Sequence, residues 1–218
     1  WVCVDPHSKQ VTISGDSGQI TPVYLTRRLL DYAIDLAHAG SDGDRPIVLA
    51  FPDDTASKRY TGAIKLIEKE RGERLHCVTA FKRRKDSEET RIMGIVGDIE
   101  AIGGSRVLMF DDEIATGGSV LDMAKALKEH YDASSVWSCV THAVMCRGAN
   151  TKFLEQIQMS GGQWVDHLVM TDTIKIDGRT QELEPLIQAG RMSVYSAMDD
   201  LAWIIYRHHW NLGIREIR

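Results

Sequence analysis

The residues with the clearest capacity for chemistry are two adjacent carboxylates that follow an apolar run. Val107 to Phe110 forms the apolar run, and Asp111 and Asp112 come directly after it. A short loop leads to Thr116-Gly117-Gly118-Ser119, where a helical pattern begins. Glycines remove the Cβ atoms that would keep a phosphate from the backbone, and N–H groups at a helix start attract an anion. The spacing predicts a phosphate site on residues 116–119, with Asp111 and Asp112 as acceptors for vicinal sugar hydroxyls.

The alternative interpretation is an acidic turn before a glycine-containing helix start, which is common in α/β proteins. We favour the binding site because acids, hydroxyls and glycines fall together at a strand–helix junction. Ligands of open α/β sheets bind at such junctions.

The sequence DDEIATGGS at residues 111–119 resembles the phosphoribosyl-diphosphate loop of the type I phosphoribosyltransferase fold. Phosphoribosyltransferases and ribose-phosphate pyrophosphokinases share that fold. The resemblance implies that Asp111 and Asp112 hold the ribose hydroxyls, and that the 5-phosphate is held by Thr116, Gly117, Gly118 and Ser119. The motif alone does not separate the two groups of enzymes.

Further segments resemble the pyrophosphokinases. Residues 51–60, FPDDTASKRY, look like their pyrophosphate loop, and residues 80–85, AFKRRK, are similar to the basic flexible loop that they close over their substrates. Residues 4–8, VDPHS, resemble the Asp-x-His segment with which they bind the magnesium of ATP. Residues 95–99, 141–142 and 171–174 also look like segments of this family, so the resemblance spans nearly the whole chain.

The resemblance assigns roles to four further residues. Lys82 and Arg84 would be the catalytic cations, which stabilise the migrating diphosphoryl group when the loop closes; the other interpretation of this basic run is a solvated surface. His7 and Asp53 would bind Mg²⁺, a cation that keeps several waters and is completed by nucleotide phosphates. A lone histidine after a strand is more often structural, and only the family context favours His7 as a ligand.

The implied reaction is transfer of the diphosphoryl group of ATP to the anomeric hydroxyl of ribose 5-phosphate, which gives 5-phosphoribosyl 1-diphosphate and AMP. Two alternatives remain open. A type I phosphoribosyltransferase would use the same loop, and Ala115 favours it, because pyrophosphokinases usually have an acid there. A catalytically silent regulatory relative is the second, because Thr55-Ala56 stands where many members have Gly-Gly.

The family comparison also predicts a domain organisation. Pyrophosphokinases have two tandem domains of this fold, with the Asp-x-His segment near the end of the first. Residues 1–20 would then end a largely missing N-terminal domain, residues 21–191 would form the C-terminal phosphoribosyltransferase-like domain, and residues 192–218 would pack back on the N-terminal one.

Composition fits an enzyme core. The chain has 218 residues, 43% of them hydrophobic, and a net charge of −5, which gives no basic footprint for nucleic acid. No apolar run reaches the ~20 residues that a bilayer span needs. We expect a cytoplasmic protein whose partners are ATP and ribose 5-phosphate, with neither nucleic acid nor membrane, and with association into a homo-oligomer.

The elements that must position these residues alternate between strand and helix patterns, which predicts an α/β fold: a parallel-sheet, phosphoribosyltransferase-like fold with helices on both faces. Strands are expected at residues 20–23, 47–51, 75–81, 107–110, 136–143, 166–170 and 192–195. Helices are expected at residues 24–39, 58–71, 119–130, 150–159 and 197–209. Residues 85–89 are expected to form a charged, mobile loop.

Overall fold

A computed structural model gives the fold, and it describes residues 1–8, 10, 20–40, 45–84, 90–146, 148–158, 163–175 and 181–213. Its strands are β1 (Val2–Val4), β2 (Thr21–Val23), β3 (Ile47–Phe51), β4 (His76–Arg84), β5 (Thr90–Gly97), β6 (Arg106–Glu113), β7 (Ser135–His142), β8 (His167–Thr171) and β9 (Met192–Tyr195). Its helices are α1 (Thr26–Ala39), α2 (Asp54–Arg71), α3 (Gly118–Tyr131), α4 (Ala149–Gln158), α5 (Glu184–Gln188) and α6 (Met198–His209), with short 3₁₀ turns at Ile99–Ala101 and Gln181–Leu183.

The main sheet has seven strands in the order β5-β4-β3-β6-β7-β8-β9. Every neighbouring pair is parallel except β4 and β5, which form an antiparallel hairpin at one edge. The predicted α/β class with a parallel sheet is therefore confirmed. The antiparallel strand β5 is an addition that the sequence pattern did not predict.

Alternating side chains of the central strands fill a core on each face of the sheet. On β6, Val107 and Met109 pack on the side of α3 and α4, whereas Leu108 and Phe110 pack on the side of α1 and α2. This two-residue period is what a strand covered by helices on both faces requires.

A small second sheet lies beside the main one. Strands β1 and β2 pair in parallel, and α6 packs against them through Ile204, which contacts the cluster around Val23. Strand β9, by contrast, pairs with β8 in the main sheet. The proposed division of the chain at residues 20 and 191 stays a prediction.

Two expected boundaries were wrong. Helix α2 begins at Asp54, four residues earlier than expected, because the carboxylate of Asp53 accepts the Ala56 N–H at 2.9 Å and caps the first turn. The expected loop at Lys82 to Arg84 is strand instead, since its backbone pairs with Thr90 to Ile92 of β5. Residues 85–89, expected to be a mobile loop, lie outside the described residues.

Candidate functional site

The order of the strands locates the site. Strand β4 lies on one side of β3 and β6 lies on the other, so the chain reverses its direction of winding between β3 and β6. The carboxyl ends of strands at such a reversal leave a crevice open to ligands. Asp53 follows β3, and Asp111 and Asp112 lie at the end of β6, so the topology gathers the acidic residues at this crevice.

A cavity of about 310 Å³ occupies the crevice. It is lined by His7, Asp53, Thr55, Ala56, Arg59 and residues 111–120. Eight of the ten predicted site residues therefore line one cavity: His7, Asp53, Asp111, Asp112, Thr116, Gly117, Gly118 and Ser119. The backbone of the other two residues, Lys82 and Arg84, is part of the β4–β5 hairpin.

Helix α3 presents its amino end to this cavity. No side chain caps the helix, so the first N–H groups, which have no carbonyl partner within a helix, remain for a ligand. Helix α2 differs, because Asp53 fills the capping position there. An anion is therefore favoured at α3 by both the N–H groups and the helix dipole.

Gly117 is required for a reason that the sequence did not reveal. Its φ angle is +78°, and a Cβ atom would lie 2.8 Å from Cε2 of the buried Phe153 in α4. At Gly118, by contrast, a Cβ would meet only the Thr116 hydroxyl oxygen, at 3.9 Å. Gly117 thus shapes the loop, and Gly118 is the glycine that leaves open space at the start of α3.

Backbone hydrogen bonds hold the loop that precedes α3. The N–H of Ile114 donates to the carbonyl of His142 at 3.0 Å, and the N–H groups of Met145 and Cys146 donate to the carbonyls of Ile114 and Ala115, each at 2.8 Å. The segment after β7 therefore continues the β6–β7 pairing beyond the sheet. This continuation fixes the direction in which the 116–119 turn enters the cavity.

Asp112 is the centre of a charged cluster. Its Oδ2 atom lies 2.7 Å from Nδ1 of His7 and 2.9 Å from Nη2 of Arg59. Burial raises the pKa of Asp112, but hydrogen bonding from Asp111 and His7 and the positive charge of Arg59 outweigh it, so the net pKa is lowered. The same hydrogen bond to Asp112 raises the pKa of His7. Both shifts favour the ion pair.

Asp111 has a different environment. Burial, together with the neighbouring Asp112, raises the pKa of Asp111 well above its usual range. One of its oxygens accepts the Asp112 N–H at 2.9 Å. Two adjacent carboxyls thus have opposite electrostatic characters. Asp112 is anionic and paired, whereas Asp111 retains a proton more readily and can donate as well as accept.

Arg59 is a site residue that sequence reasoning missed. Its Nη2 atom donates to the carbonyl of His7 at 3.1 Å as well as to Asp112, and its side chain is 13% exposed. The available signal was its position three residues after Ala56, which puts both residues on the face of α2 that meets the cavity. The resemblance of residues 51–60 to the pyrophosphate loop assigned Arg59 no role, because its partners His7 and Asp112 are distant in the sequence.

The structure also shows where Thr55 and Ala56 lie, the two residues that stand where many family members have Gly-Gly. Ala56 is buried and packs within the core beneath α2, whereas Thr55 is exposed at the rim of the cavity. Both residues line the cavity, Thr55 at its exposed rim and Ala56 as a buried part of its wall.

The residues present fit Mg²⁺ only as a partly protein-bound ion. Within the part of the chain that the structure describes, no three His, Cys, Asp or Glu side chains converge as a metal site. His7 meets Asp112 through Nδ1, an arrangement that orients the ring and would leave Nε2 available to a metal ion. Waters and ligand phosphates would complete the coordination, as Mg²⁺ prefers.

Comparison with known proteins identifies the family of this chain. The fold is that of a solved phosphoribosylpyrophosphate synthetase from Mycobacterium smegmatis, with a TM-score of 0.67 and 24% identity over 96% of this chain and 58% of that one. A ribose-phosphate pyrophosphokinase from a Marinomonas species is 33% identical over 195 residues, 89% of this chain and 54% of the relative. The Rhodopirellula baltica pyrophosphokinase is 28% identical over 98% of this chain and 59% of the relative. No protein-family model matches.

The chain belongs to the ribose-phosphate pyrophosphokinase family. The Marinomonas and Rhodopirellula relatives match most of this chain but are longer, and the chain spans about half of their length. No helix among the described residues is long and apolar enough to cross a membrane.

Proposed function

We propose that this chain contributes the sugar-phosphate half of a ribose-phosphate diphosphokinase site. The 5-phosphate of ribose 5-phosphate would bind the N–H groups at the start of α3 and the hydroxyls of Thr116 and Ser119. The observation that carries the proposal is the uncapped end of α3 opening into the same cavity as Asp111 and Asp112. A phosphate site and a hydroxyl site within one cavity suit a pentose phosphate.

The two carboxyl groups divide the recognition of the ribose. Asp112 has Oδ2 occupied by His7 and Arg59, so Oδ1 is the oxygen that it offers to a hydroxyl. Asp111, whose pKa is raised by burial, can donate or accept toward the neighbouring hydroxyl. A pair of unlike carboxyls suits a vicinal diol, since each hydroxyl can both donate and accept.

The reaction we propose is attack of the anomeric oxygen on the β-phosphorus of ATP. The bond from that phosphorus to the oxygen bridging the α-phosphate breaks, AMP leaves, and the hydroxyl proton passes to solvent. Mg²⁺, when bound, neutralises phosphate charge; His7 and Asp53 are the residues that we propose to hold it. Lys82 and Arg84 would approach the migrating group from the β4–β5 hairpin, so catalysis rests on positioning and charge rather than on a strong base.

The test follows both phosphorus-containing products by ³¹P nuclear magnetic resonance. A diphosphokinase converts ATP and ribose 5-phosphate to AMP and 5-phosphoribosyl 1-diphosphate. A phosphoribosyltransferase instead releases diphosphate from 5-phosphoribosyl 1-diphosphate when a nucleobase is supplied. Binding of ribose 5-phosphate without either reaction would fit both a chain that supplies only this half of the site and the catalytically silent relative, for which the exposed Thr55 at the rim is the supporting observation. Absence of binding would refute the sugar-phosphate site.

A further inference from the structure

The segment that carries His7 is held from a part of the sheet outside the cavity. Strand β1 belongs to the small sheet, whereas Asp112 belongs to the main one. Residues 5–7 must cross between the two sheets to bring the His7 imidazole to Asp112. The contacts that hold residues 5–7 in place therefore determine whether the His7 ring faces the cavity.

His142, at the end of β7, contacts the backbone of the segment that crosses between the two sheets. Its Nε2 atom lies 3.1 Å from the carbonyl oxygen of Val4 and 3.3 Å from that of Asp5. Carbonyl oxygens only accept hydrogen bonds, so Nε2 must carry the proton. The imidazole of His142 therefore donates to two successive peptide carbonyls of the segment that leads to His7.

The opposite edge of the same ring is fixed by the residues that end and follow β8. Nδ1 of His142 lies 3.0 Å from the hydroxyl oxygen of Thr173. Thr171 stabilises this corner, because its hydroxyl donates to the carbonyl of Thr141 at 2.7 Å and its oxygen accepts the Thr173 N–H at 3.2 Å. With Nε2 protonated, Nδ1 is an acceptor, and the Thr173 hydroxyl, which also lies 2.9 Å from the carbonyl oxygen of Thr141, can donate to it. The orientation of the ring is thus set from both sides.

Asp5 makes the segment rigid at the point where His142 holds it. Its side chain is fully buried, its φ angle is +39°, and one carboxylate oxygen accepts the N–H of Leu25 at 2.9 Å. Its own N–H donates to Val23 at 2.8 Å. A residue held in this uncommon conformation redirects the chain, and Arg59 holds the carbonyl of His7 two residues later.

We propose that His142 is a positioning residue for His7: by donating from Nε2 to the carbonyls of Val4 and Asp5, it holds the crossing segment so that the His7 ring meets Asp112. Neither His142 nor Thr173 lines the cavity, so both act through His7. The consequence for turnover rests on the proposed function, whereas the placement of His7 does not.

Two amide variants separate this role from general support of the fold. The amide nitrogen of a glutamine occupies about the place of Nε2, and that of an asparagine the place of Nδ1. His142→Gln therefore keeps the donor to the two carbonyls, and His142→Asn loses it. His167→Gln is the matched control, because His167 also meets a hydroxyl, that of Ser193 at 2.9 Å, but begins β8 at the opposite end of the sheet.

The first readout is the ¹⁵N-labelled imidazole spectrum of His7, with its hydrogen-bonded Nδ1 signal assigned by its absence in His7→Gln. We expect the signal to persist in His142→Gln and in the His167→Gln control, and to disappear in His142→Asn. If His142→Asn melts too low for study, Thr173→Val against Thr173→Ser provides the same contrast. An unchanged His7 signal in His142→Asn, or equal loss in the asparagine and glutamine variants, would overturn the proposal.

The second readout is functional and separates this proposal from the previous one. We expect His142→Asn to bind ribose 5-phosphate within about twofold of the parent, because α3 is untouched, and to lower turnover by about 10- to 100-fold, as is typical for residues that orient a metal ligand. In a His7→Gln background the same substitution should add nothing. Additive losses would overturn the inference, whereas failure of ribose 5-phosphate to bind the parent would refute only the proposed function.

Discussion

Replacing Gly117 and Gly118 one at a time by alanine should give opposite effects on stability. At Gly117, an alanine must adopt a φ of +78°, which costs about 1–2 kcal/mol for a residue with a Cβ atom. Its Cβ must also displace the fully buried ring of Phe153 from 2.8 Å, an overpacking that costs about 1–3 kcal/mol more. We expect the free energy of unfolding to fall by about 2–5 kcal/mol.

At Gly118 the same substitution places a methyl group at the first turn of α3, where the nearest other atom is 3.9 Å away. Alanine favours a helix over glycine by up to about 1 kcal/mol, so Gly118→Ala should be neutral or slightly stabilising. Urea unfolding with linear extrapolation measures both values. Adding Phe153→Leu to Gly117→Ala should recover part of the loss. A Gly117→Ala cost below about 1 kcal/mol, or a larger cost at Gly118, would refute this account of the loop.

Three further predictions concern other parts of the molecule. Arg59→Met should lower the free energy of unfolding by about 3 kcal/mol, because it leaves a buried carboxylate with one partner fewer, whereas Lys58→Met, whose ion pair is exposed, should have almost no effect. The pKa of His7 is raised in the folded chain, so its ion pair with Asp112 should stabilise the fold fully below pH 6.5, by at most about 1 kcal/mol. This contribution should be lost as the pH rises through the raised pKa of His7. In urea unfolding, a His7→Gln variant should lack that part of the pH dependence. Ile205, 62% exposed in α6, should contribute to self-association, so Ile205→Lys should shift sedimentation toward the monomer; an unchanged profile would contradict this.

Local patterns were sufficient for the strand that carries the acids and for the helix start. Phe110 ends an apolar run, the acids follow, and glycines precede a helical period, so the order along the chain already matched the order in space. The same reasoning failed for β5. Gly94 and Gly97 interrupt its apolar alternation, yet Gly97 is needed because a Cβ there would lie 2.3 Å from the carbonyl of Cys77. A close approach of two strands leaves no local pattern.

Partners distant in sequence explain the remaining omissions. Arg59 and His142 lie in segments that resemble the family, but the sequence assigned neither residue a role. Their roles emerge only when the segment around His7 crosses between the two sheets. Asp53 shows the converse. It lines the cavity as expected, but it also caps α2, a structural role that any aspartate at a helix start can fulfil.

The most direct test of the central claim is titration calorimetry of ribose 5-phosphate into the parent chain and into a Gly118→Val variant. The account predicts that the parent binds, that ribose alone and inorganic phosphate alone bind more weakly, and that Gly118→Val, checked for an unchanged unfolding curve, loses most of the affinity. Asp111→Asn should weaken ribose 5-phosphate but leave inorganic phosphate unaffected. Equal affinity in the parent and in Gly118→Val would contradict the assignment of α3 as the phosphate site.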